Sequence, residues 1–142
     1  MNKKGFTLVE LLAIIVILGI LASISTAMVG NYVKESKKDA TRVTAQNMIN
    51  AVLGDLEIND ELTEKEYDFL VDDADLLEKK LTTSAWDNEI VEARAIYKND
   101  IIKVCIRDTK GNGIIGTDSQ VKEQSGLKYE GIDEEKCAKF LN

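Results

Sequence analysis

The hydrophobic pattern changes character once along the first sixty residues. From Leu11 to Val33 no residue carries a charge, and Leu, Ile, Val, Ala and Gly dominate. A helix over this run, at about 1.5 Å per residue, covers roughly 34 Å, which suffices to cross a hydrocarbon core of about 30 Å. Farther on the pattern becomes two-faced. Ala45, Met48, Ile49, Val52 and Leu56 recur at helical spacing, behind a polar stretch that contains Lys34, Lys37, Lys38 and Arg42. One helix is therefore predicted from about Phe6 to near Leu53, with Gly54, Asn59 and Asp60 marking its exit. Its first half reads as an anchor and its second half as a spine for a packed domain.

Beyond the exit, Thr63 followed three residues later by Glu66 has the form of a capping box, with Leu62 and Tyr67 placed as a hydrophobic staple. Tyr67, Leu70, Val71, Ala74, Leu77 and Leu81 would then line one face of a second helix. After Trp86 the rhythm shortens to β-type runs at Ile90–Tyr97 and Ile101–Arg107, with weaker ones at Ile114–Lys122 and Leu127–Tyr129. Lys98, Asn99 and Asp100 supply one turn and Lys110 to Gly113 another, and a terminal helix is expected from near Asp133. The predicted fold class is α+β: a long N-terminal helix packed against a small globular head with an antiparallel sheet.

A chain of 142 residues supplies one compact domain and little more. Lys and Arg total 18 against 25 Asp and Glu, a formal charge of −7 with no basic stripe. Duplex nucleic acid, which is held mainly by cationic contacts to phosphate, is therefore not an expected partner. There is no histidine, which removes the commonest general base and the usual zinc ligand. Asp72, Asp73 and Asp75 could in principle hold a cation or exchange protons, but such a run more often marks the wet face of a helix. The segment from Asp108 to Gly113 is similar to the start of a calcium loop. Lys110, however, stands where a ligand belongs, and Ser119 replaces the closing glutamate, so a glycine-rich hairpin turn is the better account. No catalytic residue, metal site or cofactor is assigned.

Lys3 and Lys4 precede the apolar run, and the positive-inside rule then keeps the N-terminus in the cytoplasm and sends the remainder outward. A secretory signal peptide begins in the same way, and Ser25, Thr26 and Ala27 could form its cleavage site. Against that reading, the run exceeds the usual core of about 7–15 residues. Glu10 also interrupts it near its start, at a cost of about 2.5–3.5 kcal/mol if the carboxylate reached the bilayer centre. Lys4, Gly5, Phe6, Thr7, Leu8, Val9 and Glu10, followed by an unbroken apolar stretch, resemble the class III signal of type IV prepilins and related pseudopilins.

The resemblance implies a leader of residues 1–5 cleaved between Gly5 and Phe6 by a prepilin peptidase, which also N-methylates Phe6. It implies a transmembrane and filament-core helix over residues 6–33, and the spine plus head over residues 34–142. It further implies a homo-oligomeric helical filament raised by a pilus assembly platform, with the subunit single-pass in the cytoplasmic membrane beforehand and extracellular afterwards. Adhesion, motility and biofilm formation are the uses such a filament has. A pseudopilin of a type II secretion or DNA-uptake (competence) system shares the same signal, and an ordinary membrane-anchored binding protein is a third reading.

Physical chemistry fits this scheme. Loss of Met1–Gly5 removes Lys3 and Lys4, makes the side-chain charge two units more negative than −7, and creates an amine on Phe6. That amine and the Glu10 carboxylate of a neighbouring subunit could neutralise each other in a dry filament core and set the axial register. Many family members carry a proline near the position of Ala27. This chain has no proline, although Gly19, Ser23, Ser25 and Gly30 could loosen the stem. Cys105 and Cys137 fall on the exported side, where oxidation is permitted. A bridge between them would contribute about 3–5 kcal/mol, the alternative being two reduced, buried thiols.

Overall fold

The computed structural model describes residues 5–59 and 63–142, with the backbone alone for residues 25–27. The chain divides into two units, Met1–Ser36 and Lys37–Asn142. Helix α1 spans Leu8–Ile58 and contributes to both. In the first unit its large apolar side chains are exposed among the described residues. By length and composition α1 is able to cross a membrane. In the second unit Ala45, Met48, Ile49 and Val52 are buried at helical spacing, and Leu56 packs beside them. α1 runs past Gly54, four residues beyond which it ends, where the Asn59 amide side chain caps the Asp55 carbonyl.

The partner of that helical stripe is an antiparallel meander in the order β1-β2-β3-β4, built from β1 (Glu64–Asp68), β2 (Ile90–Lys98), β3 (Ile101–Asp108) and β4 (Gly113–Thr117). Ala93, Ala95, Ile102, Val104, Ile106 and Ile114 alternate onto the α1 side and close one hydrophobic core. Asn99 and Asp100 both take positive φ in the two-residue turn between β2 and β3, a turn whose twist matches that of the strands. At the start of β4 a Cβ on Gly113 would run into the Ile106 carbonyl, so only glycine lets these strands pair. The fold is α+β, as the pattern predicts.

The second predicted helix is not formed. Residues Glu64–Asp68 are β1, paired with β2, and between β1 and β2 the described residues hold a single 3-10 turn, at Ala74–Leu76. The reason lies in a period of two that competes with the apolar stripe. Tyr67 and Phe69 are buried, with ring centroids 6.1 Å apart, while Glu64 and Glu66, on the alternate positions before them, are exposed. Val71, placed in the stripe, is 71% exposed. The staple residue Leu62 lies outside the described residues.

Smaller corrections follow the same logic. Of the run Ile114–Lys122 only the first part is strand. Thr117 then caps helix α2 (Asp118–Glu123), its side chain and that of Gln120 exchanging bonds with each other's backbone N–H. Leu127–Tyr129 forms no strand of its own, but its carbonyls accept from the Ile115 and Gly113 amides and so cover the edge of β4. The terminal helix α3 (Glu134–Leu141) starts where expected, capped by Asp133.

Candidate functional site

Gly5, Phe6 and Thr7 precede α1 in non-helical backbone, and Phe6 is 78% exposed. The Thr7 carbonyl accepts from the Leu11 amide at 3.2 Å, which makes Thr7 the N-cap of α1. Its hydroxyl accepts from the Glu10 amide at 3.3 Å. In return, Glu10 Oε2 accepts from the Thr7 amide at 2.7 Å and from the Thr7 hydroxyl at 2.9 Å. This reciprocal box places a carboxylate over the first turn, where the unpaired N–H groups favour negative charge. Gly5, Phe6 and Glu10 are thus brought within one capped helix start. Thr7, which stands in the motif without a role of its own, is the residue that ties Glu10 to the helix start, and the Thr-x-x-Glu spacing is its signal.

The remaining two residues singled out in the sequence meet in the second unit. Cys105 on β3 and Cys137 on α3 form a disulfide with Cα atoms 5.8 Å apart, both fully buried. The bridge pins α3 to the sheet face opposite α1, beside Ile115, Ile132 and Leu141. Toward β2 the same face carries Glu92, buried, with Arg94 on one carboxylate oxygen and Arg107 at 2.6 Å on the other.

Two further carboxylates organise this unit. Asp108, at the segment compared with a calcium loop, is 1% exposed. Its Oδ1 accepts from the amides of Lys110 at 2.8 Å and Asn112 at 2.9 Å, and its Oδ2 from the Ser84 hydroxyl at 2.8 Å and the Asn88 side chain at 3.0 Å. Burial alone would push this carboxyl up, but the donors from Asn112, Ser84 and Lys110 outweigh it and hold it below the usual carboxylate range. These donors fill the positions a cation would need, and among the described residues no group of three acidic, His or Cys side chains is placed to hold a metal. Asp55 near the end of α1 accepts from Lys65 at 2.8 Å and from the Tyr67 hydroxyl at 2.9 Å. The Lys65 bond holds the Asp55 carboxyl below its ordinary value, with Tyr67 adding to it against burial. Burial first, then Asp55, pushes the Tyr67 hydroxyl up.

These contacts are those of a domain that organises itself, whereas the box at Thr7 and Glu10 sits at the head of a helix with an uncovered apolar surface. No curated protein and no solved structure matches the chain. Residues 1–26 match the family model of the prokaryotic N-terminal methylation motif, the class III signal of type IV pilins.

Proposed function

We propose that the chain is the structural subunit of a type IV pilus. The observation that carries this reading is the methylation motif at residues 1–26 leading into a helix whose large apolar side chains are exposed among the described residues. Residues 1–5 are the leader; a prepilin peptidase cuts between Gly5 and Phe6 and methylates the Phe6 amine. Residues 6–33 hold the subunit in the cytoplasmic membrane, N-terminus inside and C-terminus outside, until an assembly platform transfers it to the filament. There the same helices pack on copies of themselves, and Glu10 of one subunit meets the Phe6 amine of its neighbour. Residues 34–142 supply the spine and the displayed head, the part that adhesion, motility or biofilm formation would use.

The test is electron microscopy of sheared cell-surface material, with mass spectrometry of its major component. Long fibres of a protein that begins at methylated Phe6 are expected. Processed protein without long fibres would favour the pseudopilin of a secretion or DNA-uptake system. An N-terminus at Met28 would return the secretory reading, and a monomer retaining residues 1–5 would point to a membrane-anchored binding protein.

A further inference from the structure

On the pilus reading Glu10 waits in the membrane before any neighbour arrives, and a carboxylate left bare in apolar surroundings is costly. Within the chain the carboxylate finds its partners in Thr7. Both hydrogen bonds to the carboxylate come from Thr7, one from the amide at 2.7 Å and one from the hydroxyl at 2.9 Å, and both land on Oε2. Among the described residues Oε1 takes none, and so keeps its capacity for a further donor. We infer that Thr7 is a positioning residue for assembly: its hydroxyl holds the Glu10 carboxylate in place in the waiting subunit and leaves Oε1 to the N-terminal ammonium of a second copy.

The inference rests on the pilus reading above. Its physical content is preorganisation. A glutamate side chain is rotamer-rich, and freezing it at the moment of docking would be charged against the assembly step. Here the side chain is already fixed by the box, over the end of the chain nearest Phe6. Thr7 therefore acts in two ways that differ in their chemistry. As N-cap its oxygen accepts from the Glu10 amide, and as positioning group its hydroxyl hydrogen is donated to Glu10 Oε2.

Substitutions at Thr7 separate the two. Serine can accept and donate. Aspartate is at least as good an N-cap as threonine, but it has no hydrogen to donate at neutral pH and repels Glu10. Valine neither caps nor donates. The experiment expresses Thr7→Ser, Thr7→Asp and Thr7→Val beside wild type, and measures processed, methylated subunit in the membrane and the ratio of sheared filament to that pool. Thr7→Ser should assemble as wild type does. Thr7→Asp and Thr7→Val should be processed normally yet assemble about tenfold less or worse, as loss of a charge-assisted bond predicts. Wild-type filament yield from Thr7→Asp would reduce Thr7 to a helix cap and overturn the inference. So would full assembly of Thr7→Val, failure of Thr7→Ser, or a Thr7 variant stalled with residues 1–5 attached. If wild type itself makes no filaments, the pilus reading falls; normal wild-type filaments with an indifferent Thr7→Asp sink the positioning role alone.

Discussion

Two stretches of the same helix meet opposite fates. Between Leu11 and Val33 the large apolar side chains are 42–77% exposed, while Ala45, Met48, Ile49 and Val52 are at most 2% exposed under the sheet. The second stretch is amphipathic and finds its cover within the chain. The first is apolar all round, and no single-sided packing could cover it. At about 25 cal/mol per Å² of apolar surface, leaving such a helix in water is unfavourable enough to require lipid or other copies around it. What the contrast teaches is a division of labour. The second unit carries its own stability, and the first carries the surface that must be completed by something else.

The sharpest way to break this contrast is to cut between the units. Residues 37–142 alone should be a soluble monomer by light scattering with cooperative thermal unfolding, whereas residues 6–142 should leave the membrane only in detergent. If the shorter chain is unfolded or aggregated, the first unit contributes to the fold and the division fails.

Next in size are two changes, one in each unit, worth about 3–5 kcal/mol each. Glu10→Ala should still insert and lose residues 1–5, since neither step needs a charge partner. Its filaments should fail, because the neighbour's amine is then buried alone. Co-expressed with wild type, it should accumulate processed in the membrane while wild type dominates sheared filaments. In the second unit, Cys105→Ala with Cys137→Ala should lower unfolding free energy in denaturant titration by a comparable amount. Intact protein should weigh about 2 Da less than its reduced form. The disulfide change should spare membrane insertion, and the Glu10 change should spare the stability of residues 37–142.

What the sequence reveals follows the same division. The apolar run, the motif and the helical stripe at Ala45 to Leu56 depend on local spacing and were legible. The spacing Thr-x-x-Glu or Gln occurs three times, with two outcomes. It caps α1 at Thr7 and α2 at Thr117, but at Thr63 it belongs to a strand. There the alternation of Tyr67 and Phe69 with charged residues matched the open edge of β2, and long-range pairing overrode the local signal. Asp108 left a partial trace, since its bond to the amide two residues on is an ordinary feature of a turn. Its bonds to Ser84 and Asn88 cross more than a dozen residues and had no local trace.

That hub offers the third test. Asp108→Asn keeps the shape but replaces a charged acceptor, and should cost about 1.5–3 kcal/mol at neutral pH. Because donors hold the folded Asp108 carboxyl below its unfolded value of about 3.9, its contribution is present above that pH and lost as pH falls through the folded value. Denaturation followed from neutral to acid pH should therefore show wild type and Asp108→Asn converging. A constant gap would mean that shape, not charge, is what Asp108 supplies.

The smallest expected effect lies where α1 is tied to β1. Tyr67 is fully buried and donates to Asp55 Oδ2, which also takes Lys65. Tyr67→Phe removes the hydroxyl and leaves Asp55 its stronger, charged partner, so the loss should be only about 1 kcal/mol near neutral pH. The pH dependence is more informative than the size. Burial and Asp55 raise the folded hydroxyl above its unfolded value of about 10, so the unfolded chain releases a proton that the folded one retains. Stability from this bond is thus complete below about pH 10 and falls as pH rises toward the folded value. Phenylalanine cannot ionise in either state. In alkaline denaturation curves the wild type should decline toward Tyr67→Phe above about pH 10, and a separation that persists unchanged would show that the Asp55 carboxylate does not hold this proton.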